Sequence, residues 1–362
     1  MELAYDATLW DEPTTGIGLY TRCLASALEE QGASLRLLGA RKSGDAPRGM
    51  QGRSDFFVRT LPGLLTQGRE PLFHGVSNFT LPLLRIPGKR FVLTVHDLIP
   101  LLVPQTVSWA YRWQFRLWLA RSLQVADAVI CVSDRTRLDL LSRFKLSTEK
   151  LHVVHLGVDH VDAVPPPSPD EEALLRSFEL PENFVLYASA LDARKNAGLL
   201  LEACQELRRR GQPMTLVLAG QRWFGSGSVE RTVLSMRAAG VDIRLLGYQP
   251  EAVLYALMRR ATVFVLPSRY EGFGLPPLEA MRLGTPVLVS DAGALPEICG
   301  DAARYFHPEH VPGLADLLAE VLGSAAERER LSKAGRQRAA RFTWAETARR
   351  TLDVYRRALR PL

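Results

Sequence analysis

Hydrophobic and polar positions alternate along this chain in the pattern typical of parallel sheets covered by helices. Short apolar runs rich in Val, Ile and Leu are followed by segments with helical periodicity, and Gly or Pro stands at the joints. In the first half the pattern predicts strands at 2–8, 34–39, 91–96, 128–133 and 151–156, and helices at 17–31, 108–125 and 134–145. In the second half it predicts strands at 184–189, 215–219, 243–247, 263–267 and 286–290, each followed by a helix. The predicted fold class is therefore α/β, with doubly wound sheets.

A proline-rich stretch separates the two halves. Prolines at 165, 166, 167 and 169 interrupt the alternation, and a short acidic helical piece follows them. We therefore expect an N-terminal domain over 1–160, a linker over 161–181 and a C-terminal domain over 182–342. A chain of 362 residues is long enough for two domains of ordinary size.

Composition and charge exclude several classes of protein. The apolar share of 47% and the charged share of 23% are ordinary for globular proteins, which excludes a disordered chain, a collagen and a small disulfide scaffold. The net charge of +6 comes from one segment, because residues 321–362 alone carry +7. The charge therefore describes a basic terminal segment and does not indicate a nucleic-acid binder.

The sequence predicts a cytoplasmic protein that is soluble or peripheral on a membrane. The longest apolar stretch, 91–103, is interrupted by His96, Asp97 and Pro100 and is shorter than the roughly 20 residues that span a bilayer. The first ten residues lack the basic start and apolar run of a signal peptide. The four cysteines lie far apart in apolar or helical segments, so we interpret them as buried side chains in a reducing compartment.

The segment from Ser268 to Met281 carries a specific pattern. It follows a predicted strand and contains Glu-Gly-Phe-Gly-Leu-Pro-Pro-Leu-Glu-Ala-Met. Two glycines allow a tight loop, and two prolines suit the first turn of a helix. Since proline has no N–H, the amides of Phe273, Gly274 and Leu275 are the ones that can meet a phosphate at this helix start.

Glu271 and Glu279 flank this helix start. Carboxylates are bidentate acceptors for sugar hydroxyls, so one acid can bind a hexose and the other a ribose. On spacing alone, the alternative is a solvated loop acid and a surface acid of a helix.

The motif around these two acids resembles the signature of glycosyltransferase family four, the retaining nucleotide-sugar glycosyltransferases of the GT-B fold. The resemblance extends over nearly the whole chain. It implies two Rossmann-like domains facing a central cleft, with the acceptor bound mainly by the first and the nucleotide-sugar donor mainly by the second. It further implies that Glu271 contacts the hexose hydroxyls, that Glu279 contacts the ribose, and that the last helix, within 343–362, packs back onto the first domain.

Two adjacent cations follow the first strand of the second half. Arg194 and Lys195 lie where a diphosphate would need neutralising, Arg as a fork and Lys as a point charge. Without the motif around Glu271 and Glu279, a pair of solvated surface cations would be an equally good interpretation. The segment resembles the family's Arg-Lys-Asn element, although Ser189 and Ala193 stand where Gly and Pro are frequent.

No metal or other cofactor is expected. The chain contains no Asp-x-Asp and no cluster of His, Cys and carboxylates with ligand spacing. The charge of a leaving diphosphate would then be met by the two cations and the amides at 273–275. Metal independence also agrees with the fold that the resemblance implies.

Two polar segments of the first half are candidates for the donor side of a site. Gly16 and Gly18 lie in the loop 14–20 after the first strand. Taken alone, this loop is an ordinary strand-to-helix turn, but it resembles the family's N-terminal glycine loop, which faces the donor diphosphate.

His96 and Asp97 end a buried strand. Although a lone histidine is more often structural, similar proteins place this one beside the donor sugar, and Asp97 can fix the imidazole or bind the acceptor.

The helix 108–124 combines aromatic and cationic residues. One face carries Trp109, Arg112, Trp113 and Arg116, and another carries Tyr111, Phe115 and Trp118. We expect the second face to pack on the domain, while the first lies at a membrane interface or an acceptor entrance, or is buried as well. The arginines of the last helix form either a solvated face or a contact with anionic lipid; nucleic acid is not expected as a partner.

These observations predict a retaining hexosyltransferase that moves a sugar from a nucleotide donor to a glycan or lipid-linked acceptor in polysaccharide biosynthesis. GDP-mannose is the first choice of donor, from likeness to mannosyltransferases. UDP-sugars and dTDP-rhamnose are the alternatives. No second carboxylate is identifiable as a nucleophile, so we expect same-face substitution stabilised by the leaving diphosphate. A nucleotide-sugar epimerase and a non-catalytic nucleotide-sugar-binding protein are the rival interpretations.

Overall fold

The chain forms two units, each built on one parallel sheet. The computed structural model describes residues 1–12, 15–41, 44, 55–221 and 227–360. Unit 1 comprises Met1–Gly157 and Phe342–Leu362, and unit 2 comprises Val158–Arg341. Thr14 of the predicted glycine loop and residues 361–362 of the predicted last helix lie outside the described residues.

Unit 1 contains six described strands in the order β2-β1-β3-β4-β5-β6, all parallel. The strands are β1 (Glu2–Asp6), β2 (Ser34–Leu38), β3 (Leu72–Gly75), β4 (Arg90–Val95), β5 (Ala128–Cys131) and β6 (Leu151–Val153). The helices before the crossing to unit 2 are α1 (Gly16–Glu30), α2 (Leu61–Gln67), α3 (Ile99–Leu102), α4 (Trp109–Val125) and α5 (Asp134–Arg143). Apolar side chains of β3, β4 and β5 form the core with those of α2 and α4.

Unit 2 repeats this architecture with six described strands in the order β12-β11-β10-β7-β8-β9. The strands are β7 (Val185–Ala188), β8 (Leu216–Ala219), β9 (Ile243–Gly247), β10 (Val263–Leu266), β11 (Val287–Ser290) and β12 (Arg304–Phe306). The helices are α6 (Pro169–Ser177), α7 (Ala197–Arg209), α8 (Gly227–Ala238), α9 (Glu251–Arg260), α10 (Leu275–Leu283), α11 (Leu295–Cys299), α12 (Val311–Gly323) and α13 (Ala325–Ala339). The predicted α/β class with two doubly wound sheets is confirmed.

Two strands were not predicted from the sequence. Strand β3 has only four residues, Leu-Phe-His-Gly, and β12 has three, so neither gives an apolar run long enough to separate a strand from a loop. Strand β3 is nevertheless fully buried, because it pairs with both β1 and β4.

Residues 161–181, predicted as a linker, belong to unit 2. The division falls after Gly157. Val161 is buried there, and the Asp162 carboxylate is paired with the Arg282 guanidinium of α10. Helix α6 begins at Pro169 behind a capping box in which the Ser168 and Glu171 side chains each accept a backbone N–H.

The last helix, α14 (Trp344–Leu359), returns the chain to unit 1. It packs along α1 and across β4 and β5. Its start approaches Gly157 so closely that a Cβ on this glycine would lie 2.2 Å from the Trp344 nitrogen. Trp344 and Tyr355 are buried, and the Thr347 hydroxyl donates to the His155 carbonyl oxygen at 2.8 Å.

Among the described residues, no helix is both long enough and apolar enough to cross a membrane.

Candidate active site

The carboxyl ends of β7, β10 and β11 meet where the strand order of unit 2 reverses. Strand β7 pairs on one side with β8, the next strand along the chain, and on the other side with β10. Loops at such a reversal diverge and leave a crevice for ligands in open parallel sheets. The loops carrying Arg194, Lys195 and Glu271 leave the sheet at this position.

Glu271 lies at the centre of a buried polar cluster. Its Oε1 accepts hydrogen bonds from the Lys195 ammonium at 2.7 Å and from the Ser268 hydroxyl at 2.6 Å. The Arg194 guanidinium is 3.2 Å from the same oxygen. The structure thus brings together three residues that the sequence predicted as site residues, although 76 positions separate Lys195 from Glu271.

The cluster keeps Glu271 ionised. Burial would raise the pKa of this carboxyl, but the charges of Lys195 and Arg194 and the hydrogen bonds from Lys195 and Ser268 together lower the pKa to about 2. All of these donors use Oε1. No described residue donates to Oε2, so this second oxygen is the one that can accept a ligand hydroxyl.

Gly293 and Ala294, after β11, fix the backbone of Glu271. The Ala294 amide donates to the Glu271 carbonyl oxygen at 2.9 Å. Gly293 has φ +63°, and a Cβ there would lie 2.3 Å from the same carbonyl oxygen. Only glycine fits a position that combines this backbone conformation with so close an approach.

Helix α10 starts as predicted, with Gly274 at the N-cap (φ +104°) and two prolines in the first turn. Phe273 is buried. Glu279 lies one turn into the helix and is 7% exposed, and its Oε1 is 3.2 Å from the His160 Nε2. Glu279 is therefore a partnered carboxylate rather than a solvated surface acid.

His96 of unit 1 is held by its backbone and its ring. Its amide donates to the Asn78 Oδ1 at 2.8 Å, and its carbonyl oxygen accepts from the Thr136 hydroxyl at 3.3 Å. Its Nε2 donates to the Val76 carbonyl oxygen at 2.8 Å, because a carbonyl can only accept. The ring Nδ1 has no hydrogen-bond partner among the described residues, so the ring edge is the part of His96 that can meet a ligand.

A buried hydrogen-bonded chain lies behind His96. It joins the Tyr355 hydroxyl to the His74 Nδ1 at 2.6 Å, the His74 Nε2 to the Thr94 hydroxyl at 2.8 Å, and that hydroxyl to the Tyr20 hydroxyl at 3.0 Å. The Tyr20 ring packs edge-on against His96 with centroids 4.9 Å apart. Burial lowers the pKa of His96 to about 4, and burial and the neighbouring His96 lower the pKa of His74 to about 3, so both rings are neutral at pH 7.

The remaining predicted residues of unit 1 have local partners. The Asp97 Oδ1 accepts from the Ile99 amide at 3.0 Å. Gly16 is the first residue of α1, and the Gly18 amide donates to the side chain of the N-cap Thr15 at 3.0 Å. A Cβ on Gly18 would lie 2.1 Å from the Glu12 carbonyl oxygen. The Gly18 amide is therefore used in capping the helix, and the predicted diphosphate contact of this loop stays a prediction.

Both parts of the chain match known glycosyltransferase families. Residues 14–162 match Glycosyltransferase Family 4, and residues 172–338 match Glycosyl transferases group 1. The chain is 29% identical to O-antigen chain mannosyltransferase B of Escherichia coli, over 95% of this chain and 96% of that protein. It is 35% identical to the MMP alpha-(1->4)-mannosyltransferase of Mycolicibacterium hassiacum, over 75% of this chain and 66% of that protein. The chain belongs to glycosyltransferase family 4.

The fold of this family 4 glycosyltransferase is the GT-B fold. A solved structure of sucrose-phosphate synthase from Thermosynechococcus elongatus superposes with a TM-score of 0.75, covering 99% of this chain and 98% of that one at 22% identity. The resemblance predicted from the motif around Glu271 is thereby confirmed, and so is the GT-B architecture of two Rossmann-like domains.

Five residues that lie beside the predicted site residues of one unit or the other were not found from the sequence. Ser268, Gly293 and His160 contact Glu271 or Glu279, and His74 and Tyr355 lie behind His96. Ser268 had a signal, since it stands three positions before Glu271 in the same motif. The other four had none, because tertiary contacts alone bring them to the site.

No group of three or more His, Cys, Asp or Glu side chains suited to a metal ion occurs among the described residues. Metal-free transfer by this glycosyltransferase stays a prediction, and so do the individual roles of the site residues.

Proposed function

We propose that this glycosyltransferase transfers mannose from GDP-mannose, with retention and without a metal ion, to a glycan or lipid-linked acceptor in polysaccharide biosynthesis. The two relatives named above are mannosyltransferases, and one of them acts on the O-antigen chain. This likeness supports mannose as the sugar. The choice of GDP as the nucleotide carrier rests on the same likeness.

One observation carries the proposed chemistry: Glu271 is ionised, fixed through Oε1, and has no described donor on Oε2. Such a carboxylate can accept hydrogen bonds from two vicinal hydroxyls of a hexose and orient the ring. Arg194 and Lys195 contribute two positive charges, which face the Glu271 carboxylate and the Asp192 carboxylate, 3.7 Å from the Arg194 guanidinium. These two cations at the strand end can meet a diphosphate that becomes more negative as it leaves.

The proposed step is a same-face substitution at the anomeric carbon. The bond from this carbon to the diphosphate oxygen breaks, and a bond to the acceptor oxygen forms on the same face. The acceptor proton passes to the departing phosphate oxygen. Glu271 orients the hexose, Glu279 holds the ribose, and the His96 ring edge, neutral at pH 7, supplies an uncharged contact for the sugar.

The decisive experiment is a donor screen with purified protein. GDP-mannose, UDP-glucose and dTDP-rhamnose are compared by thermal shift and by slow donor hydrolysis, each with and without a chelator. We expect stabilisation and hydrolysis with GDP-mannose, unchanged by the chelator. Absence of binding by all three donors would refute the transferase proposal, and activity lost on chelation would refute its metal-free part.

Two rivals give different results in the same screen. A UDP- or dTDP-sugar transferase would shift the preference without changing the role of Glu271. A non-catalytic nucleotide-sugar-binding protein would bind the donor with no hydrolysis and no transfer, and Glu271→Ala would leave its function intact. The buried placement of Glu271 against two cations favours the transferase, because a pure binding protein has no need of an ionised group there.

We also propose that the protein acts in the cytoplasm, on the inner face of a membrane, and that helix α4 makes the contact. Trp109 is 74% exposed, Trp113 47% and Leu117 63%, and these three residues follow one another at helical spacing. The predicted alternative that this face is buried is wrong. On the face predicted to pack on the domain, Phe115 is buried as predicted, whereas Tyr111 is 37% exposed.

The charges of α4 also suit an anionic lipid surface. The helix contains three arginines and no acid, and no described acid pairs with Arg112 or Arg116. In α14, by contrast, Arg349 and Arg350 are each 2.7 Å from Glu346, and Arg356 is 2.7 Å from Asp353. Exposed tryptophans beside unpaired arginines are typical of helices that lie in a membrane interface.

Co-sedimentation with vesicles tests this contact. We expect binding to vesicles containing phosphatidylglycerol, little binding to phosphatidylcholine vesicles, and loss of binding in the double variant Trp109→Ser, Trp113→Ser. The matched control replaces Arg349 and Arg350 of α14 with Gln. If the α14 variant loses binding and the tryptophan variant keeps it, the membrane contact is made by the basic terminal segment and not by α4.

A further inference from the structure

Asp6 is a buried carboxyl group that the proposed reaction does not use. It is the last residue of β1 and is 1% exposed. Burial raises the pKa of this carboxyl, and the hydrogen bonds from Thr8, Thr80 and Val76 oppose that rise. Among the described residues no cation pairs with it. Burying a carboxyl group without a countercharge costs stability, so its presence at the ligand edge of the sheet calls for a role.

Asp6, Val76 and His96 follow three neighbouring strands of unit 1. Strand β3 pairs with β1 on one side and with β4 on the other. Asp6 ends β1, Val76 comes directly after β3, and His96 comes directly after β4. The three strands are parallel, so these residues leave the sheet at one edge, and Val76 lies between the other two.

Hydrogen bonds join the three residues in that order. The Val76 amide donates to the Asp6 Oδ2 at 3.4 Å. The carbonyl oxygen of Val76 accepts from the His96 Nε2 at 2.8 Å. The other carboxyl oxygen of Asp6 accepts from the amide and the hydroxyl of Thr8, at 3.0 and 2.7 Å. Both oxygens of Asp6 therefore act as acceptors, and one of them holds the residue that contacts the His96 ring.

Thr80 holds the peptide group that contains the Val76 carbonyl. The nitrogen of this peptide group belongs to Ser77, and its N–H donates to the Thr80 hydroxyl oxygen at 3.2 Å. The Thr80 hydroxyl donates to the Ser77 carbonyl oxygen at 3.0 Å, which closes the turn 77–80. The Val76 carbonyl is thus fixed from both sides, by Asp6 before it and by Thr80 after it.

A fixed carbonyl at Val76 selects one form of the His96 ring. A neutral imidazole has one N–H and one bare nitrogen, and a carbonyl oxygen can only accept. The proton therefore stays on Nε2, and Nδ1 keeps its lone pair as an acceptor for a ligand hydroxyl. If the carbonyl were displaced, the ring could rotate and its proton could exchange between the two nitrogens.

We propose that Asp6 and Thr80 are positioning residues, which set the tautomer and the orientation of the His96 ring through the Val76 carbonyl. Neither residue touches the substrate. The effect on sugar transfer rests on the proposed function, in which the His96 ring edge contacts the sugar. The effect on the ring itself is a property of unit 1 and does not depend on that function.

NMR of the ring nitrogens in protein labelled with ¹⁵N-histidine tests the proposal at pH 7, where His96 is neutral. The variants are Asp6→Asn and Thr80→Val, and His96→Gln assigns the signals. Asparagine has one acceptor oxygen instead of two, so the amides of Thr8 and Val76 can no longer both be bound. Thr80→Val keeps the shape of the side chain and removes the acceptor of the Ser77 amide.

Asp127→Asn is the matched control. The Asp127 Oδ2 also accepts a backbone N–H, that of Phe91 at 2.8 Å. Phe91 lies near the amino end of β4, whereas His96 follows its carboxyl end. The same replacement of a carboxyl by an amide therefore acts on the same strand, away from the His96 ring.

We expect one tautomer, with the proton on Nε2, in the wild type and in Asp127→Asn. Asp6→Asn and Thr80→Val should show exchange with the tautomer protonated on Nδ1. Slow hydrolysis is then measured with the preferred donor among GDP-mannose, UDP-glucose and dTDP-rhamnose. In these two variants kcat should fall at least about tenfold with little change in KM, because a misplaced ring affects the reacting sugar more than the binding of the nucleotide.

The two measurements separate the possible failures. If both variants keep the wild-type tautomer, the positioning role is wrong while the proposed function stands. If the tautomer changes and kcat does not, the positioning role in the reaction is wrong. If the wild type hydrolyses none of the donors, the proposed function fails, and the ring signals still decide whether Asp6 and Thr80 position His96. If Asp6→Asn does not fold, Thr80→Val decides, and a wild-type tautomer in that variant overturns the proposal.

Discussion

At the scale of single residues, the cluster around Glu271 makes the free energy of unfolding depend on pH in the acid range. The folded pKa of about 2 is below the ordinary value of 4.5, so the unfolded chain binds a proton first as the pH falls. The stabilisation is complete above pH 4.5 and is lost as the pH falls toward 2. A shift of this size corresponds to about 3 kcal/mol.

Glu271→Gln should remove this contribution. The variant leaves Lys195 buried without its countercharge, so we expect a loss of about 3 kcal/mol at pH 7 and a shallower fall of the unfolding free energy between pH 4.5 and 2. Urea unfolding across this range measures both quantities. Glu309→Gln is the control, since the Glu309 carboxylate is 68% exposed in its pair with Arg269 and should contribute under about 1 kcal/mol. Equal pH profiles for the wild type and Glu271→Gln would contradict the assignment.

A second prediction at the scale of single residues concerns the substitution of Gly293. Gly293→Ala places a methyl group against the Glu271 backbone, so it should displace this carboxylate and lower transfer at least about tenfold. Gly211→Ala introduces the same kind of backbone strain, at φ +75°, with no atom within 4 Å of the new Cβ. Activity measured at matched folded fractions distinguishes the two. Equal losses in both variants would mean that strain alone, and not the displacement of Glu271, is responsible.

At the scale of elements, α14 completes the buried chain behind His96. The Tyr355 hydroxyl is joined to Tyr20 through His74 and Thr94, so the two tyrosines should be energetically coupled through this chain of hydrogen bonds. We expect Tyr20→Phe and Tyr355→Phe each to cost about 1–3 kcal/mol. Their double variant should cost at least about 0.5 kcal/mol less than the sum, as measured by a double-mutant cycle of denaturant unfolding. Strict additivity would show that the chain does not act as one network.

The elements also show how far sequence reasoning reaches. Long periodic helices such as α4 and α14, and the strand ends that carry Glu271, Arg194 and His96, follow from pattern and turn residues. The bond between Lys195 and Glu271 does not, because it depends on strand order, which places β7 beside β10. Likewise His74 lies on a four-residue strand whose pattern is too short to detect, and its partner Tyr355 is 281 positions away.

At the scale of the whole molecule, the two units should differ in acid sensitivity. Among the described histidines, those with a lowered pKa are His74, His96 and His152, and all three belong to unit 1. Because the folded pKa is lowered, the unfolded chain is protonated first, so stability is full above about pH 6.5 and declines as the pH falls toward 4 and 3. Each buried histidine then costs about 1.4 kcal/mol per pH unit.

Hydrogen exchange read separately for β4 and β10 measures this difference. Between pH 7 and pH 5, protection in β4 should fall by roughly 10²-fold or more after correction for intrinsic exchange, whereas β10 should change little. The range from pH 7 to pH 8 is the control, since neither buried cluster titrates there. Earlier loss of protection in β10 would contradict the expectation.

The return of the chain at Phe342 has a consequence for synthesis on the ribosome. Unit 2 is one continuous stretch, so it can fold as soon as it has emerged. Unit 1 cannot finish folding at that point, because Trp344 and Tyr355 are still to be made. The half of the molecule that is translated first is therefore completed last, and during that interval the buried sites for these two aromatic side chains are open to chaperones and proteases.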